Sequence, residues 1–149
     1  MREFKLYRGF KDSFTPGEFP NPYLVTPRHP LNTPLGIHLE SDDWFSTQFG
    51  CRFRSEALFC YGSTKYASDY GRVGTIEPVG AHLLCWSPSI VDLYGSYMEA
   101  PATCSVGEIL LAGDYRVFTL DNVSLVERAI ESDHEIMLWC RSYRVHVVK

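Results

Sequence analysis

Six of the nine prolines in this 149-residue chain fall within residues 15–34, at Pro16, Pro20, Pro22, Pro27, Pro30 and Pro34. Proline fixes φ and carries no amide hydrogen, so this stretch is expected to be an ordered loop or extended arm, outside any helix or sheet interior. Loops of about twenty residues are uncommon inside a compact domain and are often functional. The rest of the chain must therefore supply the core, and it has the material. It is 45% hydrophobic and 14% aromatic, enough for one domain spanning residues 1–149 without metal or disulfide staples.

The elements on either side of the arm are short. Residues 4–10 alternate as a strand that stops at Lys11-Asp12. Ser41-Asp42-Asp43 opens a helix with Trp44, Phe45 and Phe49 as its apolar stripe and Gly50 as its stop. Residues 57–61 form an apolar strand, and Ser63 or Thr64 caps a brief helix carrying Tyr66, Ala67 and Tyr70, closed by Gly71. Beyond a turn-rich VGTIEPVG come the strand HLLCW and a helix opened by Ser87-Pro88 and ended by Gly95. GEILLAGDYRVFTL reads as two strands broken at Gly113-Asp114, and residues 124–132 as a helix with a Ser124/Glu127 capping box. HEIMLWCRSYRVHVV then reads as two strands joined by a tight Arg-Ser turn. This pattern predicts an α+β fold with a compact mixed or antiparallel split sheet and short helices.

Several function classes are disfavoured. The net charge is −4 with no dense basic run, which argues against a general nucleic-acid binder. The chain has no glycine-rich strand–turn–helix fingerprint and no GxxxxGK[ST] loop, so a nucleotide is not held in the Rossmann or P-loop manner. The five cysteines lie mostly in apolar runs and none has zinc-ligand spacing, so reduced thiols and no metal site are expected. A Cys60–His38 hydrolase pair stays open without being singled out. No apolar export segment or transmembrane-length run is present, so a cytoplasmic protein without a membrane partner is expected.

Two residues break the apolar pattern. Arg8 shares a strand face with Phe4, Leu6 and Phe10, where a core residue is expected. A guanidinium stays charged, so in that position it needs an anion, either a protein carboxylate or a ligand phosphate. Gly9 beside it permits close approach of a backbone or a ligand. Glu135 heads the run EIMLWC on the face of Met137 and Trp139, and Glu108 heads GEILLA in the same way. Either is a strand-end carboxylate or a positioned catalytic group. A third feature is Ser63 at a strand–helix junction, followed by Tyr66 and Tyr70. A hydroxyl and free amides there suit an anion or an amide, and the tyrosines suit a flat ring.

Tyr7-Arg8-Gly9 within LYRG, then FRSEALFCYGSTKYASDYG, then HEIMLWC resemble the arginine–serine–glutamate type of the ADP-ribosyltransferase superfamily across nearly the whole chain. The resemblance implies that fold and an NAD-dependent mono-ADP-ribosyltransferase, a glycosyltransferase moving ADP-ribose from NAD to a macromolecule with release of nicotinamide. A toxin-, phage- or defence-type role falls within its range. NAD is the implied co-substrate, with Arg8 and Gly9 at a phosphate or ribose oxygen. Tyr66 or Tyr70 would then stack on nicotinamide, and Ser63 (or Ser55 or Thr64) would orient the site. Glu135 or Glu108 would stabilise an oxocarbenium-like transition state. The Glu-x-Glu pair of arginine-modifying members is absent, which leaves the acceptor open, protein before nucleic acid. A neutralising or complex-forming protein partner is compatible with the resemblance. The alternatives are a catalytically inactive interaction module on the same fold, an NAD-dependent RNA phosphotransferase and an NAD glycohydrolase.

Overall fold

The computed structural model describes residues 4–11, 14–30 and 33–148. Asp12, at the expected end of the first strand, and Leu31 and Asn32 of the arm lie outside the described residues. Among the described residues six strands form one antiparallel sheet: β1 (Leu6–Phe10), β2 (Gly17–Pro20), β3 (Leu58–Cys60), β4 (Arg72–Trp86), β5 (Arg116–Phe118) and β6 (Ile136–Val147). The long pair β4–β6 is its spine. β1 and β5 lie along the outer side of β4 at its two ends, and β2 and β3 do the same for β6. A single bridge, Tyr7 to Tyr61, ties β1 to the residue after β3. The α+β architecture with an antiparallel sheet and short helices is the one expected, and β4 and β6 hold the sheet together as one.

Period-two alternation divides the core between the two faces of this sheet. Ile136, Leu138 and Cys140 of β6 and Leu84 and Trp86 of β4 are buried on one face with Val126 and Ala129 of α6 (Val123–Ser132). Met137 and Cys85 are buried on the other face. They lie with Ile37 and Phe45 of α1 (Leu35–Phe49), Phe53 of α2 (Phe53–Glu56) and Leu110 of α5 (Val106–Ala112). The described residues also form the helices α3 (Thr64–Ala67) and α4 (Leu93–Glu99).

Several local expectations are corrected. GEILLA is helix α5 rather than a strand, begun by a full capping box in which Ser105 accepts from the Glu108 amide. VGTIEPVG is strand: it forms part of β4, and a register shift between Val79 and His82 absorbs Gly80 at φ +76°. The Arg-Ser turn does not occur, because β6 runs unbroken through Arg141 and Ser142. Helix α1 starts six residues earlier than expected, after Pro34, and its Ser41 and Asp42 point inward. Ser87-Pro88 makes a turn closed by the Ser87 hydroxyl, and α4 begins after Asp92 with Gly95 inside it. Asn122, not Ser124, caps α6. The arm contains a strand, β2, at the sheet edge, where the missing amide of Pro20 costs little.

Candidate functional site

The arm is anchored by one buried side chain. Asn21 donates its amide to the carbonyls of Glu56 (2.8 Å) and Cys140 (2.9 Å), and its Oδ1 accepts from the Tyr23 amide at 3.0 Å. Pro22 opens a short 3-10 turn over Pro22–Leu24, and the Arg28 amide donates to the Ser55 carbonyl at 2.9 Å. These bonds deliver Tyr23 and Arg28 to the region of β3. A second anchor fixes α2: Asp42 accepts from the Ser55 amide (3.2 Å) and the Ser55 hydroxyl (2.5 Å). That orients Arg54, which is 6% exposed.

Three guanidinium groups then gather around Phe59. Arg28 lies 3.9 Å and Arg54 4.6 Å from the centre of its ring, and Arg8 donates to its carbonyl oxygen at 2.9 Å. Arg8 also donates to the Tyr23 hydroxyl (3.1 Å), and Arg28 lies 4.5 Å from the centre of the Tyr23 ring. Cations over aromatic faces are favourable, but they do not neutralise charge. The carboxylate here belongs to Glu135, whose Oε1 accepts from Arg54 at 2.5 Å, with both side chains a tenth exposed or less. Among the described residues only Oε1 of that carboxylate is engaged. The Nε groups of Arg8, Arg28 and Arg54 are buried without a protein acceptor among the described residues. Burial, followed by the neighbouring charge of Arg8, pushes the Arg28 guanidinium down to about 10, so it stays cationic at neutral pH.

Glu135 is placed by the turn between α6 and β6. Asp133 takes the left-handed conformation at φ 62°, His134 Nδ1 lies 2.8 Å from the Ser87 carbonyl, and the Glu135 amide donates to the Val91 carbonyl at 3.0 Å. Ser63 joins this turn, its hydroxyl donating to Asp133 Oδ1 at 3.1 Å, two residues before Glu135. The rings of Tyr61 and Tyr70 stack 6.1 Å apart at 13°, and Tyr66 lies 6.0 Å from Tyr61. Burial and then the Glu135 charge raise the Tyr61 hydroxyl far above its ordinary value.

The structure thus sets Arg8 and Glu135 in one charged cluster and links Ser63 to the turn that carries Glu135. Tyr70 is exposed and Tyr66 half-buried, both around Tyr61. Gly9 serves packing: a Cβ there would lie 2.1 Å from the Ala67 carbonyl, so the glycine admits the backbone of α3. Glu108 does not head a strand. It is exposed on α5, and its carboxylate accepts from the Ser105 hydroxyl at 3.1 Å. The Cys60–His38 pair has no chemical support, since burial lifts the Cys60 thiol far above its ordinary value and its Sγ donates to the Ile136 carbonyl. The sequence reading passed over Arg28 and Arg54. Arg54 stands in the polar run Arg52-Phe53-Arg54-Ser55-Glu56, where no apolar pattern marks it as Arg8 was marked. Arg28 lies among prolines, where no periodicity exists to expose it.

Among the described residues, no group of three or more His, Cys, Asp or Glu side chains is placed to hold a metal ion. No helix among them is long and apolar enough to cross a membrane. Comparison with protein-family models, curated proteins and solved structures found no match.

Proposed function

We propose that this chain has an ADP-ribosyltransferase-like fold and acts as an NAD-dependent mono-ADP-ribosyltransferase on a macromolecular acceptor. The observation that supports this best is Glu135, a carboxylate held at a strand head against Arg54, with its charge acting on Arg28 and one oxygen without a partner among the described residues. NAD brings a pyrophosphate, which needs cations, and a ribose hydroxyl, which needs an acceptor. In the reaction the nicotinamide–ribose bond breaks with its electron pair leaving on nicotinamide. The acceptor's nucleophile attacks the anomeric carbon and releases its proton. Positive charge grows on the ribose only in the transition state, so a fixed carboxylate stabilises that state more than the ground state. Arg8 would hold a phosphate or ribose oxygen, Glu135 Oε2 a ribose hydroxyl, and the Tyr66–Tyr70 side the nicotinamide ring. Ser63 would act through Asp133 to hold the turn that carries Glu135.

The direct experiment uses NAD labelled in the nicotinamide and, separately, in the adenosine, incubated with the protein and candidate lysates. Nicotinamide release with label on a macromolecule supports transfer. Nicotinamide release with water as the acceptor redirects the reading to an NAD glycohydrolase, and label without nicotinamide release contradicts it.

One observation favours a second reading. The Arg54–Glu135 pair is nearly buried, as a non-catalytic interaction module with an internally neutralised glutamate requires. On that reading NAD produces neither nicotinamide nor a thermal shift.

A further inference from the structure

Arg54 and Glu135 neutralise one another, and this leaves Arg8 and Arg28 as two cations without a carboxylate among the described residues. They are held together through Tyr23, whose hydroxyl takes the Arg8 bond and whose ring lies under Arg28. Arg28 is the less satisfied of the two. Its one side-chain hydrogen bond among the described residues, to the Ala57 carbonyl, is 3.5 Å long, at the outer limit for such a bond. Two like charges brought this close in a partly desolvated place repel, and among the described residues the Glu135 charge offsets only part of that effect on Arg28. Arg8, Arg28, Tyr23 and Phe59 are each half-buried, so solvent and solutes reach the rim of the pair.

We infer that Arg8 and Arg28, braced on Tyr23 and Phe59, form a binding site for a diphosphate group, with Arg28 the residue that selects two phosphates over one. Two planar guanidinium forks match the oxygens of two linked phosphates, whereas a single phosphate satisfies one fork and leaves the other cation bare. The site also gives the proline-rich arm a role. Asn21 and the Arg28–Ser55 backbone bond fix the arm where Arg28 can reach the anion. This inference uses a residue that the proposed reaction does not require, and it stands in a non-catalytic module as well.

The test is calorimetric titration of the full chain with inorganic pyrophosphate, with ionic strength held constant by chloride. Arg28→Met keeps the length of the side chain over both rings and removes its charge, and Arg116→Met is the matched surface control. Saturable one-to-one binding is expected, weakened about tenfold or more in Arg28→Met and unchanged in Arg116→Met, as loss of a charge-assisted contact implies. Orthophosphate should bind wild type more weakly than pyrophosphate, and ADP-ribose should compete with pyrophosphate. Unliganded Arg28→Met should melt no lower than wild type, because the change relieves repulsion. No saturable binding by wild type overturns the inference even if the variant fails to fold. So does equal weakening in both variants, or a variant that melts lower with its affinity intact. Pyrophosphate binding without nicotinamide release removes the proposed reaction and leaves this site; the reverse result removes the site alone.

Discussion

Glu135 and Glu108 stand in nearly the same sequence setting, each heading an apolar run, and the fold sends them to opposite environments. Glu135 enters β6 through a left-handed turn and meets a buried arginine. Glu108 sits in the first turn of α5, exposed, and closes a capping box with Ser105. The first is held where its charge acts on Arg54 and Arg28, whereas the second accepts from the Ser105 amide, which water would otherwise serve. The difference teaches that a strand-heading glutamate gains chemical meaning from what the rest of the chain brings to it. Here the proline-rich arm and α2 bring that, as Arg28 and Arg54.

The largest expected effect breaks the comparison at the Glu135 end. Glu135→Ala leaves buried cations uncompensated and should lower unfolding free energy by about 3–5 kcal/mol, read by urea denaturation. An effect no larger than that of Glu108→Ala would erase the distinction between the two sites. Asn21→Ala, which frees the arm from Glu56 and Cys140, should cost about 2 kcal/mol by the same measurement. It should also weaken pyrophosphate binding if the arm positions Arg28.

A change of pH sharpens the comparison on the α1 side of the cluster. Burial first, and then the charges of Arg54 and Arg28, hold the His38 imidazole below its ordinary 6.5, against the upward pull of Asp42. As pH falls through 6.5 the unfolded chain takes a proton that the folded chain refuses. Stability is therefore present above that pH and declines below it, down to the lowered folded value. Thermal melts between pH 8 and 5 should show this slope, and His38→Gln should flatten it. The smallest effect is at the other glutamate: Glu108→Ala should cost about 1 kcal/mol or less and leave any NAD turnover unchanged.

What the sequence disclosed follows from which interactions are local. β1 and the Gly50 stop were legible because alternation and a left-handed glycine act over a few positions; the β3–α3 junction falls at Ser63 as expected, but its hydroxyl bonds Asp133 instead of capping α3. GEILLA was misread because a short apolar run suits strand and helix equally, and the deciding sign was the Ser105-x-x-Glu108 box just before it. Pro78 made VGTIEPVG look like a turn. Yet the pairing of β1 ends at Ile76 and that of β5 starts at Leu84, so β4 has a partner strand on one side only at Pro78. At the site, the position of Arg8 on an apolar face marked it as a residue needing partners, and it finds the Phe59 carbonyl and the Tyr23 hydroxyl. The second cation could not be read, because Arg28 reaches Phe59 through anchors distant in sequence, the Asn21–Cys140 bond, 119 residues apart, and the Arg28–Ser55 backbone bond.

The central claim is that Glu135, among its arginines, is the working carboxylate of an NAD-consuming site. The most direct measurement is the rate of nicotinamide release from NAD by wild type, Glu135→Gln and Glu108→Gln, each corrected for its folded fraction. The account predicts a rate above the spontaneous one for wild type, a fall of about a hundredfold or more in Glu135→Gln, as loss of one charged transition-state contact implies, and no change in Glu108→Gln. Equal rates in wild type and Glu135→Gln, or loss confined to Glu108→Gln, would contradict it.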